Sequence, residues 1–558
     1  MLRTLLLTTA LLAATTQPAA AETKRPNFLF IVADDLGFSD LGAFGGEIDT
    51  PHLDALAHAG LRLTGFHTAP MCSPTRAMLL TGSDSHRTGL GAMRESSAPS
   101  LQAVPGYEGF LRADAPTLAE RLSEVGYRTL FSGKWHLGVE PDQDPHARGF
   151  QQSFSFAQGA HYHFGPRPAS TWADPEGKFP PLTGIAASSG MINPTYREDG
   201  VEVARLPDGF FSSDTFASKL IDQIKSGQHS GKPFFAYLAF TAPHAPLHAP
   251  KQTIAKYKGR YDDGYEALRA RRVQRQVELG LAPAGTTAHP LVGVPRWDEL
   301  SPDERRLSAR TMEVYAAMVD NLDHNVGRVV AALRETGELD NTVIVFLSDN
   351  GAEGGEYAST KIPSMGRHVA ASDNSLDNLG ANTSFISYGP AWAQAASAPS
   401  RLYKSFASEG GTRAVAFISG PLVKRPGTIA NTYTHVTDLV PTVLETVGAP
   451  VQPGRFAGRA ATPIDGVSWT AFLRDGAPVY AADRPVGTEL HGARSIRQGD
   501  WKITATRGGD WELFNIAADP GETRDLSVQE PDRRAELIAA WDAYAREVNV
   551  IPTSPAAP

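Results

Sequence analysis

The sequence predicts an α/β fold: a large mixed, mostly parallel sheet flanked by helices, with a smaller C-terminal α+β domain. Three observations carry this. Apolar, β-rich runs at 27–33, 129–132, 234–240 and 343–348 each stop at polar residues, the pattern of strands buried on both faces that leave the sheet at one edge. Amphipathic helical segments alternate with those runs. After about residue 430 the pattern changes to short strands separated by turns and a charged terminal helix.

In chain order, Arg3, the apolar residues 5–14 and Ala19-Ala20-Ala21 have the layout of a secretory signal, with cleavage expected after Ala21. The apolar run is far shorter than the roughly 20 residues of a membrane-spanning helix. A periplasmic or secreted protein with no membrane attachment after cleavage is the expectation. There is no twin-arginine pair and no cysteine at the cleavage point, against a twin-arginine route and a lipid anchor. Residues 22–430 then form the main domain and 431–558 the smaller one. Thr50-Pro51 opens a helix that Gly60 closes, and Pro116 opens one that Gly126 closes. From 301 to 335, Met312, Tyr315, Val319, Leu322, Val326, Val330 and Leu333 recur at three- and four-residue intervals, which predicts a core-covering helix. The segments 165–206 and 282–297 are rich in Pro, Gly, Ser and Thr and are expected as surface loops rimming a pocket. Strands are expected at 495–506 and 511–516, and a helix at 532–548.

Composition excludes several classes. The 558 residues are 41% hydrophobic and 20% charged, ordinary globular proportions that argue against disorder. The net charge of −9, without clusters of Lys or Arg, gives no basic footprint and excludes nucleic acid as an expected partner. The single cysteine, Cys72, has no intramolecular disulfide partner, so an exported chain needs another reason to keep it.

In an open α/β sheet the ligand lies beyond the carboxyl ends of the strands, so polar strand ends far apart in sequence meet in one pocket. Those ends are Asp34-Asp35, Lys134, His244 and Asp349-Asn350. Each aspartate pair alone reads as a solvated turn or cap. Together they crowd three carboxylates, which repel or protonate unless a cation lies between them, and hard oxygen donors suit calcium or magnesium. Cys72 precedes Ser73-Pro74, a helix start, and Gly82 supplies the stop. The helix N-terminus there would stabilise an anion, either a thiolate or a reacting oxyanion, and Arg76, one turn on, faces back toward it. His136 and His244 read either as buried structural histidines or as proton carriers. His161 and His163 carry only a weak pocket-lining signal and read as exposed loop residues.

The segment Cys72-Ser73-Pro74-Thr75-Arg76 resembles the signature of the type I sulfatases, in which the cysteine is oxidised to formylglycine. Gly126-Tyr127-Arg128-Thr129-Leu130-Phe131-Ser132-Gly133-Lys134-Trp135-His136 is similar to that family's second signature. The likeness continues through Asp349-Asn350-Gly351, 399–413 and 511–526, and 389–404 is especially similar to bacterial arylsulfatases. One departure is Thr412-Arg413-Ala414-Val415, where the family has an aliphatic residue, Arg, Val and Pro after its two glycines.

The resemblance implies an alkaline phosphatase/sulfatase-like fold with 22–430 as the catalytic domain. It also implies hydrolysis of a small-molecule sulfate ester, with an aryl sulfate as the leading substrate, after a formylglycine-generating enzyme has modified Cys72. Asp34, Asp35, Asp349, Asn350 and the modified residue 72 would hold Ca2+, with Mg2+ as the alternative. Cys72, Arg76, Lys134, His136, His244 and Lys404 would form the catalytic set. A hydroxyl of the hydrated aldehyde, helped by a carboxylate such as Asp349, would attack sulfur; His244 or Lys404 would assist the leaving oxygen, and His136 would take the proton that lets sulfate depart. The alternative is a formylglycine-dependent phosphonate or phosphodiester hydrolase, and behind it a non-catalytic binder of sulfated ligands. A two-metal phosphatase would need a second ligand set that the sequence does not offer.

Overall fold

The computed structural model describes residues 24–97, 99–165, 194–357 and 363–551. The expected signal at 1–21 and most of the loop expected at 165–206 lie outside them.

Ten strands form the main sheet. In chain order they are β1 (Asn27–Ala33), β2 (Leu61–Leu63), β3 (Arg128–Lys134), β4 (Gln152–Phe156), β5 (Tyr196–Glu198), β6 (Val201–Glu202), β7 (Phe234–Ala239), β8 (Thr342–Ser348), β9 (Ala416–Ser419) and β10 (Thr428–Ala430). Their spatial order is β10-β2-β9-β8-β1-β7-β3-β4-β5-β6. The five central strands, β8 through β4, run parallel, while β9 and β5 pair antiparallel with their neighbours. All four strands expected from the apolar runs are central ones, because only a strand covered on both faces is apolar throughout.

Alternation along β1 divides the core in two. Leu29, Ile31 and Ala33 face a cluster with the helices Pro51–Ala59, Ser212–Ser226 and Pro302–Glu335. Phe28, Phe30 and Val32 face the opposite cluster, which includes Met78, Leu79 and Leu80 of the helix Cys72–Thr81. The Pro302–Glu335 helix is the one expected from periodicity. A capping box between Ser301 and Glu304 opens it, and Met312, Tyr315, Val319, Leu322, Val326 and Leu333 are buried. The helix expected from Pro116 begins two residues later, at Leu118, because Thr117 accepts the amide of Glu120 and acts as the cap.

Residues 196–202, expected within a loop, form the β5–β6 hairpin. Asp199 and Gly200, at φ 49° and 81°, make its turn, and an Asp-Gly pair is the sequence signal for it. The 282–297 segment has no strand or long helix, as expected. Near the C-terminus, Pro485–Leu490, Ala493–Gln498, Trp501–Ala505 and Glu512–Asn515 form an antiparallel meander. The helix Pro531–Glu547 packs on it through Leu537 and Trp541 against Ile496, Ile503 and Leu513. The single strand expected at 495–506 is two, split by the turn at Gly499.

Gly133 bears directly on the site. It lies in β3 at φ 125°, and a Cβ there would come within 1.8 Å of the Ala239 carbonyl oxygen. No residue with a side chain lets β3 and β7 approach so closely, and that approach places Lys134.

Candidate active site

The carboxyl edge of the parallel strands gathers the predicted residues. Asp34 and Asp35 follow β1, Lys134 ends β3, His244 follows β7, and Asp349 and Asn350 follow β8. The helix Cys72–Thr81 starts at the cysteine itself, with Met71 still extended, and Gly82 closes it in the left-handed region with its N–H on the Met78 carbonyl. Every one of these side chains is buried.

Cys72 Sγ lies 3.4 Å from Asp34 Oδ1 and 3.7 Å from Asp35 Oδ1. Lys134 Nζ donates to Asp34 Oδ2 at 2.8 Å, and Lys404 Nζ donates to Asp35 and to Glu353 Oε2, each at 2.9 Å. Arg76 reaches back as its helical position predicts. Its Nε donates to Asp349 Oδ2 at 2.9 Å, Nη2 lies 2.7 Å from the same oxygen, and Nη1 donates to the Lys134 carbonyl. His244 Nε2 is 3.5 Å from Asp35 Oδ2, and His136 Nε2 is 2.7 Å from Glu95 Oε1.

The donor set fits a divalent cation. Ligand atoms of Asp34, Asp35, Cys72 and His244 lie within 4.8 Å of one another. Beside them, Asn350 Nδ2 donates to Asp35 Oδ1 while its Oδ1 is buried without a hydrogen-bond partner, an oxygen donor open to a cation. Three buried carboxylates, Asp34, Asp35 and Asp349, and the half-buried Glu353 face three permanent cations, Arg76, Lys134 and Lys404. The excess negative charge and hard oxygens suit calcium or magnesium.

Two acidic residues at this centre escaped the sequence reading. Glu353 sits in a loop and Glu95 in a single 3-10 turn, Arg94–Ser96, with no motif around either, and only the fold puts them on Lys404 and His136. His161 and His163 are buried, not exposed as expected. His163 Nε2 lies 2.9 Å from the His244 carbonyl and Nδ1 2.8 Å from Ser212 Oγ, while His161 bridges Thr241 and Tyr196. Both brace the turn that carries His244.

The sulfatase family profile matches residues 26–449, most of the chain. The chain belongs to the sulfatase family. It is a sulfuric ester hydrolase. It is 46% identical over 541 residues to an uncharacterised sulfatase of Schizosaccharomyces pombe, covering 95% of each chain. It is 39% identical to an arylsulfatase of Klebsiella aerogenes, over 81% of this chain and 93% of that one. Solved structures share the fold: Ps i-CgsB in complex with k-i-k-neocarrahexaose aligns with a TM-score of 0.66 at 24% identity over 93% of both chains. A chain solved with D-glucosamine-2-N,6-O-disulfate aligns at 0.60 and 18% identity, over 95% of this chain and 99% of that one.

Electrostatics in the sulfatase site bear on the two anions left open at the Cys72 helix start, a thiolate or a reacting oxyanion. Burial, reinforced by the charge of Asp349, pushes the Cys72 thiol well above its ordinary range, so the protein does not stabilise a thiolate at this helix N-terminus. Burial would also raise Asp34, but Lys134, His244 and Arg76 outweigh it and hold that carboxyl far below the usual range. Burial raises Asp349 to about 6 despite Arg76. Burial lowers His136, with Glu95 acting against it, so the imidazole is neutral at pH 7 and open to a proton. Its Nδ1 is buried with no hydrogen-bond partner, opposite the nitrogen that Glu95 holds. Lys134 and Lys404 stay charged, because the carboxylates beside them overcome their desolvation.

Proposed function

We propose that this sulfatase hydrolyses aryl sulfates to a phenol and inorganic sulfate in the periplasm or outside the cell. Cys72 is converted to formylglycine by a modifying enzyme, and one Ca2+ completes the site. The observation that carries the proposal is the placement of Cys72, buried at its helix start with Sγ against Asp34 and Asp35, whose carboxylates are held by Lys134 and Lys404. A hydrated aldehyde at that position supplies a hydroxyl nucleophile and a second hydroxyl through which the covalent intermediate breaks down.

Asp34, Asp35, Asp349, Asn350 and residue 72 would hold the cation, with His244 adjoining. When bound, it supplies positive charge to sulfate oxygens and lowers the proton affinity of a hydroxyl beside it. Lys134, Lys404 and Arg76 place cationic charge around a sulfate group, where negative charge persists through the reaction. Lys404 is held between Asp35 and Glu353, so its proton is available near a departing oxygen. His136 takes a proton on Nδ1 while Glu95 fixes the ring through Nε2. For the alcohol portion, Tyr357 is coupled to the charges of Glu353 and Lys404 and packs on Phe385, which packs on Tyr162, an aromatic wall suited to an aryl group. The arylsulfatase relative at 39% identity supports the same choice.

The deciding experiment compares an aryl sulfate with the matching phosphate ester, using protein co-expressed with a formylglycine-generating enzyme. Sulfate should be preferred, turnover should fall after chelation, and Ca2+ should restore it better than Mg2+. A preference for phosphate would overturn the proposal. Glu95→Gln should lower kcat by about 10- to 100-fold, the range for groups that orient a reacting histidine, with KM little changed. An equal loss in KM would mean that Glu95 shapes substrate binding instead.

A further inference from the structure

A cavity of about 300 Å3 lies between the end of the main sheet and the C-terminal meander, lined by none of the residues assigned to catalysis. Three arginines line it: Arg413 from the catalytic core, Arg484, and Arg497 from the meander. None has a carboxylate within 4.0 Å among the described residues. Arg497, half-buried, donates Nε to the Gly499 carbonyl, and Arg484, exposed, donates Nη2 to the Asp465 carbonyl, so neither is tied to a carboxylate.

Arg413 is the decisive residue. It is 7% exposed, stacks on the Phe38 ring with its guanidinium carbon 4.0 Å from the centroid, and its Nε is buried without a hydrogen-bond partner. Glu409 and Glu522 act on it only at a distance, and both are paired with Lys502. Glu409 is taken by Lys502 at 2.8 Å and His67 at 3.0 Å, and Asp500 is exposed. A buried guanidinium with no carboxylate bonded to it favours an oxyanion that can bond it, and Arg is suited to planar or tetrahedral oxyanions.

Aromatic rings complete the site. Tyr433 lies 4.6 Å from His67 and 5.4 Å from Tyr480, and Arg497 and Arg484 sit over Tyr433 and Tyr480. We propose that this cavity is a second anion site that takes an oxyanion on Arg413 and Arg497, with room for a small organic body against Tyr433 and Tyr480. The occupant is either the inorganic sulfate that the reaction releases or the anionic group of a small aromatic acid. An anion there neutralises arginines from both the core and the meander and so ties the two together.

The test is thermal unfolding of the full chain in sodium sulfate, sodium phosphate or sodium benzoate, each against sodium chloride at equal ionic strength. The wild type should show a saturable rise in Tm with at least one of the three. Arg413→Gln should need about tenfold more anion for the same rise, as expected from losing charge-assisted hydrogen bonds, with kcat for the sulfate ester unchanged. Arg497→Gln, at a half-buried position, should show the same loss and covers the case in which Arg413→Gln does not fold. A response to sulfate identifies the reaction product as occupant, and a response to benzoate alone identifies an aromatic acid. No saturable rise with any anion, or identical titrations in wild type and both variants, would overturn the proposal.

Discussion

Cys72→Ala should reduce turnover of an aryl sulfate by about five orders of magnitude, the scale on which removal of a covalent nucleophile acts, while leaving the fold in place. Cys72 is 1% exposed, and its sulfur touches Asp34 and Asp35 without sharing charge with them. Losing that one atom leaves a small cavity, costing about 1 kcal/mol or less. The Arg76, Lys134 and Lys404 ion pairs do not depend on it. Cys72→Ser is the sharper variant. A serine hydroxyl between the same two carboxylates can attack sulfur once, but it has no second hydroxyl with which to expel sulfate. It should give a burst of about one phenol per enzyme and then stop. Rapid-mix kinetics distinguishes the two variants. Sustained turnover by Cys72→Ala would exclude residue 72 as the nucleophile.

The centre was legible in the sequence because its residues sit at the ends of strands that a simple pattern finds. Asp34, Lys134, His244 and Asp349 each follow an apolar run, and the rule that parallel strands deliver their ends to one edge brings them together. Lys404 follows no such strand. Only its likeness to the family pointed to it, and its link to Asp35 and Glu353 depends on a loop whose amide at 404 bonds the Ala352 carbonyl. Glu95 and Glu353 had no local signal, since a carboxylate in a loop reads the same whether it is solvated or paired. The burial of His161 and His163 was equally hidden, because tertiary packing against Phe156, Tyr196 and Phe211 covers them and no periodicity marks it. Of the two anions left open at the Cys72 helix start, a thiolate or a reacting oxyanion, burial disfavours the thiolate for an energetic reason. A helix N-terminus favours an anion by about 1 kcal/mol, less than complete burial beside two carboxylates costs.

Arg76→Met should be the most destabilising single change at this centre, by about 3–5 kcal/mol, the cost of breaking a buried ion pair from one side. The guanidinium is 1% exposed, and removing it leaves Asp349 without a cationic partner and the Lys134 carbonyl without its donor. The loss should depend on pH in a direction that follows from Asp349. In the wild type burial already raises that carboxyl to about 6. Without Arg76 it rises further, so the metal-free variant keeps Asp349 protonated over a wider range. A group raised in the folded state contributes stability below its unfolded value and loses it as pH climbs through the folded one. The Tm gap between wild type and Arg76→Met should therefore be smallest near pH 5 and widen toward pH 8. Adding Asp349→Leu removes the orphaned carboxylate and should recover most of the stability and abolish the pH dependence, since an apolar pair of similar volume replaces a buried ion pair at little cost. Turnover should stay lost in the double variant, separating the charge that holds the site together from the charge that works on sulfate. A pH-independent gap, or a double variant no more stable than Arg76→Met, would show that Arg76 acts through packing and its bond to the Lys134 carbonyl instead.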